Sequence, residues 1–375
     1  MTIDGRLHTV EEACRGKTRG VYGVLYSDSC LLTPAFAMDN LTHTLTAIAI
    51  SQSGLNRKTR FATLTLILAA NAPDIDILSG LKDSITYLKY HRGISHSLIG
   101  VTVLALLLWG LIYWLGGKTR PKPGLPLNGR WLLLAAFLGT GSHLVLDFTN
   151  AYGVRPFLPF SGRWYAWDIM FIFDPLLLAL LILGLSVPWL LRLISEEVGA
   201  SKSRPVSGAI FCLCAMVALW GVRDFAHRRA LSIIDGRTYA GEDPQRFSAL
   251  PVVADPFTWT GVVETETSFH VVRVNALDAN RPPEEMGVFD KPQPSPALTA
   301  AMKTRAGGIM LDFARFPWAQ VDESEDGYRV SLRDLRFFHD SEQSRNFTLE
   351  VGLDKALQVR SEAFYFTAPQ RPRRD

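Results

Sequence analysis

The stretch YLKYHRGISHSLIGV, residues 87–101, places His91 and His96 immediately before a long apolar run. That run covers residues 98–115. At about 1.5 Å per residue, a helix of this length approaches the ~30 Å hydrocarbon core of a bilayer. Two imidazoles at such a boundary are either polar groups at the membrane surface or ligands of a metal ion. The choice depends on which other polar side chains the fold brings to the same end of this helix.

The composition combines features of membrane and soluble proteins. Hydrophobic residues make up 48% and charged residues 20% of the 375 residues, and the mean hydropathy of +0.12 is modest for a polytopic membrane protein. The net charge of +3 is too small to indicate a nucleic-acid partner. No Cys-x-x-Cys pair occurs among the four cysteines, so neither thiolate zinc nor a disulfide framework is supported.

Four apolar runs are long enough for membrane-spanning helices, and they cover residues 98–115, 131–146, 175–194 and 206–222. Two shorter apolar segments precede them, at residues 41–51 and 61–72, and are more typical of packed or re-entrant helices. We therefore expect a mainly α membrane domain with about four transmembrane helices and two short packed or re-entrant helices.

The chain changes character on both sides of this domain. Residues 1–37 show no sustained period and no apolar core of a signal peptide, so we predict a poorly ordered extension with Met38 as the natural start. Beyond residue 222, alternating β-branched and aromatic residues predict antiparallel strands, with one helix at PALTAAMKTRAGGIMLDFARF. The expected domains are this extension, a membrane-embedded helical metal-site domain at 38–222, and a soluble strand-rich α+β domain at 223–375.

Ionisable residues gather at helix ends that would face the same side of the membrane. If consecutive helices form antiparallel hairpins, the start of one helix and the end of the next share a membrane face. The residues placed on this face are His43, Asp74, Asp76, His91, His96, His143 and Asp147. The opposite helix ends carry the basic segments RKTR and KTRPKP. The hairpins therefore predict one polar cluster at a single lipid–water boundary.

The spacing within this cluster suits metal coordination. His143 and Asp147 are four residues apart, so they stand on one face of an α-helix. In PDID the proline cannot continue the preceding helix, and an extended backbone would project Asp74 and Asp76 to the same side. Both pairs could therefore chelate an ion.

The HRGISH motif adds two imidazoles. Gly93 permits a turn, and Ser95 can cap the incoming helix. His96 would then lie in the first helical turn, and His91 would fold back from the loop.

Each piece also has an explanation without a metal. A histidine such as His43 at a helix start is commonly only a polar end residue, and Asp-x-Asp after proline is commonly a solvated turn. His143 and Asp147 differ, because ionisable residues in an apolar membrane helix are costly and usually functional. Together, on one face, the residues favour a metal site. Imidazole and carboxylate without thiolate are typical of catalytic zinc, and also suit manganese or iron.

The segments MDNLTHTLTA, NAPDID, YHRGISHS and GSHLVLDFTNAYGVRPFLPFSGRWYAWDIMFIFDP resemble the bacterial membrane-bound, LexA-regulated, predicted metal-dependent hydrolases. The resemblance covers about residues 38–180 and implies a multi-pass inner membrane protein that uses a metal for hydrolysis. By motif, the seven clustered residues match the polar signature of the family. Asp168 and Asp174 match its later acidic positions.

The order His…Asp…His…His-x-x-x-Asp is similar, more distantly, to the zinc-dependent phospholipases C and single-strand nucleases. This likeness implies that Asp74, His96, His143 and Asp147 form the principal site, with His43 attached to a neighbouring ion. The second His-x-x-x-Asp of that group does not occur in this sequence after His143. One or two ions are therefore expected instead of three.

These features predict hydrolysis of a lipid or lipid-linked phosphoester, with membrane lipid as a partner and no nucleic acid. The candidate catalytic residues are Asp76, as general base or as the group that orients an imidazole, and His91, as proton donor or additional ligand. Arg92, Arg155 or Arg163 could hold a phosphate, with snorkelling to lipid head groups as the alternative.

Two other classes of function stay open. The same ligands could serve a metal sensor without turnover, and a scaffold whose soluble tail binds a partner is a further alternative. Transport is less favoured, because the ligands gather at one face instead of at the bilayer midplane.

Overall fold

The computed structural model describes residues 29–119, 124–197, 205–338 and 346–366. In these ranges a helical N-terminal region precedes two four-stranded antiparallel sheets, which confirms the predicted fold class. Most of the predicted extension, residues 1–28, lies outside the described residues, and the first described helix contains Met38.

The helical region contains seven α-helices in the described ranges. They are α1 (Ser29–Gln52), α2 (Ala62–Asn71), α3 (Ser84–Tyr90), α4 (Leu98–Lys118), α5 (Gly129–Thr149), α6 (Pro175–Glu197) and α7 (Pro205–Asp235). Among the described residues, α4, α5 and α7 are long and apolar enough to cross a membrane. A fourth span arises if α2 and the 3₁₀ helix Pro73–Leu81, which meet at a bend of 44°, are counted as one. The described apolar part of α6, Pro175–Pro188, is shorter than the predicted span at 175–194.

Local caps place the start of the spanning helices. The Ser97 hydroxyl accepts a hydrogen bond from the Gly100 amide at 2.9 Å and so caps α4. The prediction that Ser95 caps this helix is therefore wrong, and His96 lies in a short 3₁₀ turn just before α4. At Gly93 a Cβ would stand 2.6 Å from the Tyr90 carbonyl oxygen, so the turn requires glycine because of close backbone approach.

Helices α2 and α5 pack at very short distance. A Cβ on Gly139 of α5 would lie 2.6 Å from the Ala69 Cβ and 2.9 Å from the Leu66 carbonyl oxygen, both in α2. Small residues let membrane helices approach so closely that backbones nearly touch. Gly139 is one helical turn before His143, so the contact also brings that imidazole against α2.

The strand-rich tail consists of two consecutive sheets with strands in sequence order. The first sheet contains β1 (Arg246–Val252), β2 (Asp255–Glu264), β3 (Ser268–Asn275) and β4 (Glu284–Asp290). The second sheet contains β5 (Pro317–Ser324), β6 (Gly327–Asp334), β7 (Thr348–Leu353) and β8 (Val359–Tyr365). Val330 is paired with Val321 and Val351 and is fully buried, as expected for an inward-facing position of a central strand.

The helical insert between the sheets is two helices instead of the one predicted. They are α8 (Pro296–Lys303) and α9 (Arg305–Phe313), and Thr304 between them is extended. Its hydroxyl accepts a hydrogen bond from the Gly307 amide at 2.9 Å, which starts a new helix. The break therefore has a local cause, an N-cap threonine within an otherwise continuous apolar pattern.

The tail packs on the helical region over a common core. The predicted domain boundary at residue 222 falls within α7, whose later residues Ala226, Ala230 and Ile234 pack on the first sheet. Ile85 and Tyr152 from the helical region share a buried cluster with α8, α9 and the second sheet. The tail thus lies on the side of the helices that carries the clustered histidines and aspartates.

Replacement of Gly139 by alanine should lower the stability of the protein. The added methyl group has no room against α2, and overpacking of this kind costs about 1–3 kcal/mol. The measurement is thermal or denaturant unfolding in detergent. The matched control is Gly141→Ala in the same helix, where a Cβ meets nothing within 4 Å. Equal stability of the two variants would show that the α2–α5 contact is looser than described.

Candidate metal centre

Four side chains from three separate segments meet at one point. They are Asp74 after α2, His96 before α4, and His143 and Asp147 near the end of α5. Each offers one ligand atom, and these atoms all lie within 4.8 Å of one another. His96, His143 and Asp147 are buried, and Asp74 retains 18% exposure of its side chain. The hairpin argument correctly placed these residues together.

The separations fit coordination of a single ion. The two Nε2 atoms of His96 and His143 are 3.0 Å apart. Asp147 Oδ2 lies 3.2 and 3.4 Å from them, and Asp74 Oδ1 lies 3.5 Å from each. A tetrahedron with metal–ligand bonds of ~2.0–2.1 Å has corners about 3.3 Å apart. The four atoms therefore form a cage that could hold a single metal ion.

The hydrogen bonds of His143 fix its ring for metal binding. Nδ1 lies 2.7 Å from the carbonyl oxygen of Ala70. Because a carbonyl oxygen can only accept, Nδ1 carries the proton and donates it. The lone pair is then on Nε2, which points at the cluster. The close approach of α2 and α5 at Gly139 makes this contact possible.

Asp76 fixes the ring of His96 in the same way, by accepting a hydrogen bond from Nδ1. Its Oδ2 lies 3.1 Å from His96 Nδ1 and also accepts hydrogen bonds from the Ser95 hydroxyl and the Arg92 amide, each at 2.9 Å. Nδ1 of His96 therefore carries the proton, and Nε2 presents its lone pair to the cluster. Carboxylates that orient metal-binding imidazoles in this way are common in metal sites. This geometry favours the orienting role among the two roles expected for Asp76.

The two carboxylates of PDID do not project to the same side, as an extended backbone would require. Pro73 is instead the first residue of the 3₁₀ helix Pro73–Leu81, where its missing N–H leaves no helical bond unmade. The helical path directs Asp74 to the four-atom cluster and Asp76 to the Nδ1 side of the imidazoles. The expected extended geometry was wrong, but both residues still lie at the cluster because the 3₁₀ helix carries them there.

Arg92 binds the Asp147 oxygen that faces away from the two imidazoles. This buried guanidinium donates from Nη2 to Asp147 Oδ1 at 3.0 Å and from Nη1 to Asn150 Oδ1 at 2.7 Å. Within the described part of the chain, the other oxygen, Oδ2, is buried and accepts no hydrogen bond. A buried carboxylate oxygen facing two imidazole lone pairs is costly unless a cation joins them. Arg92 thus serves the metal ligand and is not available to a phosphate.

The charges around the cluster call for a divalent cation. The carboxylates of Asp74, Asp76 and Asp147 face one guanidinium, from Arg92, which leaves two negative charges unbalanced when the imidazoles are neutral. Burial by itself would lower the pKa of His96, but its close contacts with the carboxylates of Asp147, Asp74 and Asp76 raise this pKa well above its usual range. The site therefore attracts positive charge, and a metal ion that binds there displaces a proton from His96.

His43 and His91 flank the four-atom group without belonging to it. The His43 ring stacks on that of His143 with centroids 4.0 Å apart, and its Nε2 lies 3.4 Å from Asp147 Oδ1. His91 Nδ1 donates to Asp76 Oδ1 at 3.0 Å, and its ring centroid is 6.0 Å from that of His96. The role of His43 as a ligand of a neighbouring ion stays a prediction. The role of His91 as a proton donor also stays a prediction.

The two later aspartates stabilise the structure beyond the cluster. Asp174 accepts from the amides of Leu176 and Leu177 at 3.0 Å, so it caps α6, and it also pairs with buried Arg223 at 2.6 Å. Asp168 accepts two hydrogen bonds of 2.8 Å from Arg315 of the tail.

Arg155 and Arg163 differ in their availability to a phosphate. Arg155 is buried, donates to the Lys89 carbonyl oxygen at 2.7 Å and pairs with Asp312 at 3.2 Å. Arg163 is exposed. Of the three arginines considered for phosphate binding, Arg163 therefore remains as the candidate.

Sequence reasoning missed three contributors to the site. They are the Ala70 carbonyl oxygen, the Asn150 side chain and the role of Arg92 in holding Asp147. A backbone carbonyl leaves no signal in a sequence. The pairing of Arg92 with Asp147 depends on the local backbone, because Arg92 itself has a left-handed conformation with a φ of 52°.

Purified wild-type protein should contain about one divalent ion per chain, because four converging ligands complete a single coordination shell. His143→Ala should reduce the metal content to background, because it removes a buried ligand that no neighbour can replace. The measurement is elemental analysis after gel filtration in detergent. His270→Ala, which removes a buried histidine of the tail, is the control and should retain the ion. Full metal content in His143→Ala would refute the ligand assignment.

Asp76→Asn should weaken metal binding by about 10–100-fold without abolishing it, as expected for a residue that orients a ligand. The amide keeps a hydrogen-bond acceptor for His96 but loses the negative charge. Chelator competition with zinc gives the dissociation constant. A complete loss of binding, equal to that of His143→Ala, would instead indicate that Asp76 is itself a ligand.

Part of the chain is similar to a curated bacterial protein. The chain is 30% identical over 149 residues to the Bacillus subtilis (strain 168) protein described as "Uncharacterized protein YfhP". This match covers 37% of the chain and 42% of that relative. No solved structure matches the chain.

A family model described as "YdjM inner membrane protein" matches residues 38–230, slightly more than half of the chain. Together with the several membrane-spanning helices, this match confirms the predicted multi-pass location in the inner membrane. It also confirms the membrane family implied by the resemblance, while the hydrolase activity stays a prediction. The chain belongs to the YdjM family of inner membrane proteins.

Proposed function

We propose that this protein is an integral membrane metal-dependent hydrolase that cleaves a phosphoester of a lipid or lipid-linked molecule. The observation that carries the proposal is the cage formed by Asp74, His96, His143 and Asp147. Imidazole and carboxylate ligands without thiolate are typical of hydrolytic zinc sites, and zinc is the metal we propose. Manganese or iron would accept the same ligands, with further positions for water and substrate.

Asp74 gives the site a direction of access. It is the one member of the cage with appreciable exposure, because the other three are almost completely buried. A catalytic site keeps a coordination position for water or substrate, whereas a structural site is closed. Substrate would therefore approach over the 3₁₀ helix Pro73–Leu81.

The surface along this approach favours a lipid substrate. The 3₁₀ helix that carries Asp74 also exposes the apolar side chains of Ile75, Leu78 and Leu81. Ile94 and Leu98, at the start of the membrane-spanning helix α4, are exposed as well. Exposed apolar side chains next to a spanning helix are suited to contact with acyl chains.

Exposed basic side chains occur in the same and neighbouring segments. Lys82 and Lys89 are exposed at the two ends of the segment that joins the 3₁₀ helix to the HRGISH turn, and Arg163 is exposed in the loop after α5. Their charges would attract the phosphate of a lipid head group, and the guanidinium of Arg163 could bind it in a bidentate way.

The chemistry supplied by a bound metal is polarisation of the phosphoryl group and activation of water. In the proposed reaction a water oxygen bonds to phosphorus while the bond from phosphorus to the leaving alcohol oxygen breaks. One proton of the water is taken up within the site, and one proton is delivered to the leaving oxygen. The hydrogen-bonded pair of His91 and Asp76 is suited to this transfer, because an imidazole that donates from Nδ1 to a carboxylate keeps Nε2 for a proton.

A metal-binding protein without turnover is the second candidate, and the extent of burial favours it. Four protein ligands already complete a tetrahedral zinc site, and three of them have no appreciable exposure. A sensor of metal availability would need this closed arrangement. The two candidates differ in whether phosphoester cleavage accompanies metal binding.

Zinc-loaded wild-type protein should hydrolyse phosphodiesters, and should act faster on phospholipid in vesicles than on a soluble nucleotide ester. Removal of zinc with a chelator and the substitution Asp147→Ala should each abolish the activity, because both remove the polarising cation. Release of phosphate or of a phosphorylated head group is the measurement. Stoichiometric zinc binding without cleavage of either substrate would decide in favour of the sensor.

A further inference from the structure

Arg336 of the tail joins the strand-rich region to the turn that follows α5. This buried residue, just after β6, donates from Nε to Asp334 at 2.8 Å and from Nη2 to the Phe313 carbonyl oxygen at 3.0 Å. Its remaining nitrogen, Nη1, donates to the carbonyl oxygen of Ala151 at 2.6 Å. The guanidinium thus uses its planar fork to fix one backbone carbonyl of the helical region relative to the tail.

The turn held by Arg336 is the one that holds Arg92. Asn150, next to Ala151, accepts through Oδ1 from the Tyr152 amide at 3.0 Å and from Arg92 Nη1 at 2.7 Å. Arg92 in turn donates from Nη2 to Oδ1 of the metal ligand Asp147 at 3.0 Å. A continuous chain of short contacts therefore runs from the tail to the metal ligand.

Aromatic packing reinforces the same turn. On one side, the ring of Tyr152 lies 5.3 Å from the His91 ring and 5.0 Å from the Arg92 guanidinium. On the other side it lies 4.7 Å from the ring of Phe313 in α9. Tyr152 is buried, so the turn is enclosed between the metal centre and the core of the tail.

We propose that the strand-rich tail positions the metal centre, and that Arg336 is the positioning residue through which it acts. By fixing the 150–152 turn, Arg336 holds Arg92 against Oδ1 of Asp147 and leaves Oδ2 directed at the two imidazoles. The tail is then a part of the metal centre and not an independent module. This inference rests on metal binding by the cage, but it does not depend on hydrolysis.

The test is the zinc affinity of Arg336→Lys in the full-length protein. Lysine keeps the positive charge beside Asp334 but cannot supply three separate directed hydrogen bonds. We expect zinc affinity to fall about tenfold, the lower end of the range for groups that orient ligands. Chelator competition with zinc alone measures the effect, and thermal unfolding reports the stability of each variant.

The chain offers a matched control in Arg315→Lys. Arg315 also docks the tail on the helical region, through two hydrogen bonds of 2.8 Å to Asp168, but its side chain has no part in the chain of contacts to Asp147. This variant should loosen the tail to a similar degree and leave zinc affinity within about twofold of wild type. Equal losses of affinity in the two lysine variants would overturn the proposed route and leave only general docking.

Two further measurements separate positioning from destabilisation. If Arg336 acts through Arg92, Arg336→Lys should add little to the loss of affinity caused by Arg92→Lys, whereas independent effects would add. Hydrogen exchange of the Tyr152 amide should also rise in Arg336→Lys and not in Arg315→Lys. Full additivity, or unchanged exchange, contradicts the inference.

If Arg336→Lys does not fold, Asn150→Ala interrupts the same chain from the helical side and should lower zinc affinity about tenfold. Unchanged affinity in this variant would also overturn the inference. A wild-type protein that binds no zinc would overturn the metal centre itself, whereas zinc binding unaffected by Arg336→Lys would overturn only the role of the tail.

Discussion

Uncompensated negative charge at the ends of packed membrane helices is the constraint on which the site depends. Asp74, Asp76 and Asp147 are held close together, with Arg92 as their buried positive partner. Burying unpaired carboxylates costs far more than burying paired ones, so this arrangement favours the binding of a cation. The surrounding hydrogen bonds can be understood from this requirement. Those of His143 with the Ala70 carbonyl oxygen and of His96 with Asp76 place the Nδ1 protons away from the centre, so that the two Nε2 atoms face inward.

The helix packing makes this concentration of charge possible. Gly139 brings the backbones of α2 and α5 so close that the Ala70 carbonyl oxygen reaches the ring of His143. The same hairpin places Asp74, just beyond α2, opposite Asp147. Small residues on a helix face therefore do more than strengthen packing in this protein. They also help to bring the candidate ligand atoms within 4.8 Å of one another.

Much of this arrangement could be predicted from the sequence, because it follows from helix periodicity and hairpin topology. His143 and Asp147 share a helix face by their spacing, and antiparallel helices must bring Asp74 and His96 to the same end. The cap at Ser97 and the helix break at Thr304 could not be assigned, because each competes with an equally suitable residue nearby. The roles of Arg336 and Asn150 were beyond reach for another reason. Their contacts join residues far apart in sequence, and no periodic pattern marks them.

The proposed role of the tail concerns the orientation of the Asp147 carboxylate in the cage. The helices supply four ligands, but a carboxylate such as Asp147 has two oxygens and can rotate about its own side chain. The guanidinium of Arg92, which donates to Oδ1, favours the orientation in which Oδ2 faces the imidazoles. Arg92 in turn lies between Asp147 and a turn that the tail encloses. If the cage binds an ion as we propose, the membrane helices supply its ligands and the strand-rich region restricts their movement.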